Sequence, residues 1–474
     1  MNKRLILVLA LVFVAGLTMA AYAEVQNVKV SGDLTVLGAS RKMGLTSTTK
    51  ADDPALAVPT TLKDRGKDNF MASITRVRID ADLTDNVSTT VRLLNERYWG
   101  TETDNFSTTG TNSDIDLDLA YATMKEFLYS PLTLTIGRQE LHFGNDMIVG
   151  DPDTNNMASI ASPFGNTIPT NGDLTVRKAF DAIRATLNYD PLVIDGVVAI
   201  VSNVDNSRKD DQNLYGINVG YDLNKKTKLE GYWFERRNGR DANTTEKVSR
   251  TDTLGGRVAV TAIDNDDARL LYQLESAFQF GQVAGTTLTP SAPRKAWALE
   301  TSLSYDWKKV KYAPSATICY AYFSGEDQNS YSTNAGTFKG WDPMYENQTT
   351  GHIANALFNQ TGVQLFGASV SAKPKDDVTL KGEYYAYFWT KEFAQFQQVF
   401  TVRNPGTVAL NPDRIINMTD KRFAGQEIDG TVTYDYTEDV QFGLLGGMFF
   451  PGPSFDKRNA NTAMEVIGSM KVTF

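Results

Sequence analysis

Two kinds of chemistry are open to these side chains: catalysis around a histidine, or recognition of a polar solute by rows of arginines and carboxylates. Catalysis finds little to build on. His142 and His352 are the only histidines, and a Ser-His-acid site needs a nucleophile held against the imidazole. Neither histidine sits in a nucleophile motif, and both read as loop-end residues. Asp151-Pro152-Asp153-Thr154-Asn155-Asn156 opens like a calcium loop, but Ser162 stands where the bidentate Glu belongs. A solvated turn is expected there, with a loose loop cation site as the alternative, and no cofactor is expected. The charged rows are more informative. Arg76, Arg78, Asp80 and Asp82 alternate with Val77, Ile79, Ala81 and Leu83. Asp116 and Asp118, with Asp114, oppose Ile115, Leu117, Leu119 and Tyr121. Glu275, with Arg269, Gln273 and Gln279, opposes Leu270, Tyr272, Leu274, Phe278 and Phe280. Period-two alternation places each charged set on one face of an extended strand. Arg92, Arg184, Arg257, Glu300, Glu383 and Glu427 join the same inward-facing set. Its sign is mixed, so it can brace a wall through Arg–carboxylate pairs or select a solute.

Those rows need strands to carry them. Candidate strands run over 25–39, 70–83, 87–99, 114–127, 132–140, 178–189, 192–203, 213–223, 226–236, 251–263, 268–281, 294–307, 310–323, 361–373, 377–391, 425–437, 440–450 and 462–474. That is about 18 segments of the length a tilted membrane strand needs. Short turns such as Asp85-Asn86, Asp190-Pro191 and Glu438-Asp439 alternate with long polar segments at 40–69, 100–113, 141–177, 324–360 and 392–424. The alternation means that each strand pairs with its sequence neighbour. An even count brings both termini to the short-turn side. No repeat motif of a propeller or solenoid is present. An Arg or Lys on a lipid-facing position at mid-membrane costs about 2–4 kcal/mol, so the charged faces turn inward. The predicted fold is all-β: a transmembrane antiparallel up-and-down barrel, with long extracellular loops and short periplasmic turns. A soluble sandwich would explain neither the loop alternation nor the last strand. That strand places Met464, Val466, Gly468, Met470, Val472 and Phe474 on one face, and Phe474 resembles the terminal assembly signal of bacterial outer-membrane proteins.

The N-terminus and the composition agree. Lys3 and Arg4, the apolar run Leu5 to Ala20 and Ala21-Tyr22-Ala23 read as a signal peptide over 1–23, leaving 24–474 as the barrel. After residue 23 no apolar run approaches about 18 residues, which excludes helical spans. The mean hydropathy of −0.31 fits that reading. The 20 Tyr, 24 Phe and 6 Trp can supply interfacial girdles. Cys319 alone cannot form an intrachain disulfide. A net charge of −9 argues against a nucleic-acid partner. Trp341 to Tyr345, and Tyr384, Tyr385, Tyr387, Phe388 and Trp389, read as girdle aromatics or as platforms for sugar rings.

One residue breaks the pattern. Alternation from Leu132, Leu134 and Ile136 puts Arg138 on the lipid face, and a bulge or strand end at Gly137 is the expected remedy. Gly137-Arg138-Gln139 with Phe180-Asp181-Ala182-Ile183-Arg184, and Gly425-Gln426-Glu427 before Met448 to Gly452, resemble the alginate export family of outer-membrane barrels. The resemblance implies an 18-stranded barrel passing a saccharide or other hydrophilic solute, with an anionic polysaccharide such as alginate in range. In the alginate exporter the pore is lined with arginines, and here the match to that lining is partial. The expected partners are outer-membrane lipid, the hydrophilic solute and the outer-membrane assembly machinery. A general porin is the alternative, and an enzyme or adhesin on a barrel scaffold the remoter one. A cationic strip of Arg76, Arg78, Arg92 and Arg184, opposed across the lumen by Asp116, Asp118 and Glu383, is the expected selectivity device.

Overall fold

The strands pair in sequence order and then close on themselves. The structure is a computed structural model that describes residues 27–42, 67–100, 115–152, 171–202, 211–239, 248–283, 291–326, 336–357, 360–392, 398–400, 415–417, 419–455 and 460–474. The signal peptide expected over 1–23 and residues 153–156 of the calcium-loop motif lie outside these. The strands are β1 (Asn27–Lys42), β2 (Lys67–Thr84), β3 (Val87–Tyr98), β4 (Asp116–Met124), β5 (Leu132–Glu140), β6 (Ala179–Asn188), β7 (Leu192–Ser202), β8 (Gln212–Asn224), β9 (Thr227–Asn238) and β10 (Ser249–Asp264). They continue with β11 (Ala268–Val283), β12 (Ala292–Trp307), β13 (Ser315–Phe323), β14 (Val363–Lys375), β15 (Val378–Trp389), β16 (Gln398–Phe400), β17 (Ile415–Asn417), β18 (Phe423–Asp435), β19 (Val440–Pro451) and β20 (Ala463–Thr473). All but β16 and β17 form one 18-stranded antiparallel sheet. It is a closed barrel, because β1 pairs with β2 on one side and β20 on the other. The pair β16–β17 is a separate ribbon inside the long segment 392–424, which was expected to carry no strand.

Closure removes the free edges a sheet would otherwise expose. Outward positions are apolar and solvent-accessible in the bare chain: Ile79, Leu93, Ile183, Val198, Ile217, Leu254, Phe278, Ile318, Val370, Ile428, Leu444 and Val466. The short turns are set by local side chains. Asn265 Oδ1 accepts the amides of Asp267 and Ala268 at 3.0 and 2.8 Å, and Asn224 Oδ1 accepts that of Lys226 at 2.8 Å. The first and last strands begin and end at this short-turn end, since Asn27 pairs with Asp82 and Thr473 with Asp33.

Three local expectations are corrected. The strand expected from residue 310 begins at Ser315, because Val310 to Ala313 close a turn through the Ala313 amide and the Val310 carbonyl at 2.9 Å. In β4 the strict alternation fails. A register shift opposite Arg92 and Leu93 turns Leu119 inward to 2% exposure while Leu117 stays outward. The strand β5 does not end at Gly137. That glycine adopts φ +125, and Arg138 continues on the outward face, paired with Asp181 of β6.

Candidate functional site

The loops leaving the open end of the barrel turn back into it. The segment 141–152 follows β5 and buries Leu141, Phe143, Met147, Ile148 and Val149. They pack on inward residues of the wall, Phe180, Val197, Leu214 and Phe234 among them, with the Phe143 and Phe234 rings 5.1 Å apart. The segment 336–351 and the single-turn helix α1 (His352–Leu357) add Trp341, Met344, Tyr345 and Ile353 to the same core. Each fully buried large apolar side chain contributes about 1.5–3 kcal/mol, so this inner layer is a stable part of the fold. The aromatics of 341–345 are therefore neither girdle nor sugar platform. Of the second aromatic group, Tyr385, Tyr387 and Trp389 are buried inward, and Tyr384 faces out.

The two segments are joined to each other. The Tyr345 amide donates to Ile148 O at 3.0 Å, the Gly150 and Asp151 amides donate to Tyr345 O at 2.8 and 2.9 Å, and Asn347 N donates to Asp146 O at 2.9 Å. Carboxylates on the inward face of the wall then hold both. Glu275 accepts the Asn145 amide at 2.7 Å and the Tyr232 hydroxyl at 2.7 Å. Glu230 accepts the Gly144 amide at 3.0 Å. Glu300 accepts Gln348 Nε2 at 2.7 Å. Glu427 accepts the amides of Ile353 and Ala354 at 2.7 and 2.8 Å. Asp342 reverses the arrangement, carrying a loop acid to the wall, where it accepts Thr251 Oγ1 at 2.9 Å and pairs with Arg236 and Arg294. Burial alone would raise the Asp342 carboxyl; the two arginines outweigh it and hold it below its ordinary value. A third segment, 171–178, is tied in by Glu96, which accepts the Val176 amide at 2.8 Å and the Thr175 hydroxyl at 2.9 Å.

Glu275, Glu300 and Glu427 are thus anchors for infolded loops. Inward phase could be read from the sequence; the amides they meet come from segments far away in the chain. The remaining charged residues pair within the wall. Arg76 bonds Asp33 at 2.8 Å, Arg78 bonds Asp80 at 2.8 Å, Arg184 bonds Asp195 at 2.8 Å, Arg257 bonds Glu230 at 2.8 Å and Lys381 bonds Glu383 at 2.9 Å. Asp82 lies exposed at the short-turn rim, next to Ser88 in register. The expected opposition across the lumen is corrected: Asp118 pairs with Arg92 on the adjacent strand and Asp116 with Arg177. Arg92 and Asp118 meet from neighbouring strands, and Arg177 reaches Asp116 from the segment 171–178, so neither acid stands across the lumen from its partner. The partners Asp33, Asp195 and Glu230 were not singled out from sequence, although each lies on the inward phase of its strand; strand register was the missing information.

The motif residues prove to shape the wall. Arg138 donates Nε and Nη2 to the two oxygens of Asp181 at 2.9 and 2.8 Å, and Nη1 to Leu117 O at 3.1 Å, so one guanidinium on the outer face ties β4, β5 and β6. Gln139 turns inward and donates to Ala182 O at 3.0 Å. Gly425 has φ +146, and a Cβ there would lie 2.5 Å from Phe450 O, so only glycine fits. Gln426 accepts the Tyr384 hydroxyl at 2.9 Å.

A closed 18-stranded barrel with an apolar outer face and a lumen narrowed by anchored loops defines a transmembrane channel. The chain belongs to the alginate export family, whose sequence model, described as Alginate export, matches residues 57–469. It is a channel of the bacterial outer membrane that passes solutes. Among solved structures it is similar to OccK8 (OprE) of Pseudomonas aeruginosa at 11% identity, TM-score 0.53, covering 95% of this chain and 98% of that one. It is also similar to OccAB1 of Acinetobacter baumannii at 10% identity, TM-score 0.54, covering 96% and 99%. At these identities the likeness is one of fold. No curated protein matches the sequence.

Proposed function

We propose that the channel passes a hydroxyl-rich, anionic saccharide through a narrowed lumen that leans cationic. One observation carries this reading: in four of the five wall pairs named above the cation is wetter than its acid, Arg257 at 13% against Glu230 at 21% being the exception. Side-chain exposure is 38% for Arg78 against 34% for Asp80, 22% for Arg76 against 14% for Asp33, 31% for Arg184 against 5% for Asp195, and 46% for Lys381 against 9% for Glu383. Other inward carboxylates, such as Glu275 and Glu427, are fully buried under the loops they hold. The lumen is mixed in sign by count, yet its accessible part favours an anion. An anionic polysaccharide such as alginate fits that chemistry. The buried loop layer favours a selective conduit over a general porin.

We further propose a purely conductive role, without catalysis. His142 is engaged by Asp146 within its own loop at 2.9 Å, and His352 opens helix α1 beside Asp429. The test is a double replacement, Arg76→Ser with Arg78→Ser, in planar bilayers. Anion preference and block by uronate oligosaccharides are expected to fall, most at low salt, where a Debye length of about 30 Å at 0.01 M lets the charges act at range. Unchanged selectivity and block would make these arginines wall braces only and restore the general-porin reading.

A further inference from the structure

Among the described residues, the barrel wall is incompletely sealed between β4 and β5. These strands pair only over Ala120–Met124 with Leu134–Arg138. Beyond that, β4 still pairs with β3 through Asp116 and Leu117, and β5 with β6 through Gln139 and Glu140. The two strands run apart towards the long-loop end. Two contacts show that the gap passes through the wall. The Leu117 carbonyl is met by the Arg138 guanidinium, where a sealed wall would supply a strand amide. Glu140, on the outward phase of β5, forms an ion pair with Arg92, whose Nε holds Asp118 on the lumen side. A bond between opposite faces requires that no backbone lie between. A cavity of about 190 Å³ occupies the gap, lined by outward Leu117 and Ile200 and by inward Leu94 and Phe180.

We propose that this notch is a lateral binding site for the ammonium head of a single-chain amphiphile drawn from the lipid phase. The charge balance selects the head. Around the gap Asp116, Asp118, Asp181 and Glu140 meet Arg92, Arg138 and Arg177, four carboxylates against three arginines. The Arg138 fork is already engaged by Asp181 and Leu117 O, whereas Asp181 keeps 57% and Asp116 36% of its side chain accessible. Each carboxylate has about four acceptor positions, so oxygens remain for an incoming N–H donor. An anionic head would meet net repulsion. The setting selects the tail. Arg138 and Asp181 end the outward apolar rows Leu132, Leu134, Ile136 and Leu187, Ala185, Ile183, which places the notch at the membrane boundary. Leu117 at 47% and Ile200 at 53% exposure offer a track for the chain outside it. The volume suits a head and not a tail, liquid water taking about 30 Å³ per molecule.

The test uses the purified full barrel in a nonionic detergent, with submicellar dodecylammonium as probe and native mass spectrometry as readout. One bound dodecylammonium per barrel is expected, with no specific binding of butylammonium or dodecyl sulfate. Asp116→Asn with Asp181→Asn, and separately Ala179→Trp, which fills the cavity from its lining, are each expected to weaken binding at least about 10-fold. Heat-modifiable migration confirms that each variant is a folded barrel; if the double variant is not, Ala179→Trp carries the test alone. Equal binding of dodecyl sulfate, or undiminished binding to Ala179→Trp, would overturn the proposal. Neither result bears on the lumen arginines.

Discussion

The ring of Phe474 lies over Gly32 on the outer face of the seam where the last strand meets the first. The two residues exchange backbone bonds, Gly32 N to Phe474 O at 2.9 Å and Phe474 N to Gly32 O at 3.0 Å. A Cβ on Gly32 would lie 2.7 Å from Phe474 Cζ and 2.5 Å from Arg76 O. The ring could move, but the Arg76 carbonyl belongs to the β1–β2 ladder and cannot.

Gly32→Val is therefore expected to disrupt closure and lower the fraction of heat-modifiable barrel. Phe474→Asp is expected to leave a folded barrel nearly as stable, because a carboxylate near the interface costs only about 0–1 kcal/mol, yet to reduce delivery to the outer membrane. We attribute that loss to the assembly machinery reading the terminal aromatic. Comparing surface level with in vitro refolding separates the two effects, and normal surface levels of Phe474→Asp would remove the assembly role.

Glu427→Ala is expected to free helix α1 from the wall. The amides of Ile353 and Ala354 would lose their acceptor, at about 1–3 kcal/mol for each buried group left unsatisfied. Single-channel recordings should show larger, noisier conductance. A quiet trace of unchanged amplitude would mean that the apolar contacts of Ile353 suffice to seat the helix.

Arg41 joins the first strand to the last through Glu465 at 2.9 Å and also pairs with Asp173. Arg41→Met is expected to destabilise the barrel by about 3–5 kcal/mol, the usual cost of leaving a buried charge uncompensated, since Glu465 is 1% exposed. Denaturant titration of the refolded barrel measures this.

The His142–Asp146 bond gives the loop layer a pH dependence. The hydrogen bond to Asp146 raises the imidazole above its ordinary 6.5, helped by Glu140 and opposed by burial and by Arg184. A folded-state value above the unfolded one means that the stabilisation is fully present below about 6.5 and is lost as pH rises through the folded value. Current noise from the 141–152 segment should therefore grow as pH is raised from 6 towards 8. Asp146→Asn should flatten that profile; a wild-type profile already flat over the range would show that the apolar contacts alone hold the loop.

The alternation of apolar and polar residues determined the barrel, its strand count, the closed topology and the inward placement of Arg76, Arg78 and Glu275. Period-two patterning against a lipid phase is a local code, because each misplaced charge carries its own penalty. Tertiary structure alone decided what the inward charges do. Glu427 meets the amides of Ile353 and Ala354, and Glu275 that of Asn145, only after loops distant in sequence turn back into the lumen. Arg138 illustrates both halves: alternation placed it outward, against the expectation of a strand end, and only the β5–β6 register revealed Asp181 opposite it. Long-range pairing of polar groups depends on register and on loop path, and neither is written in the periodicity of a single strand.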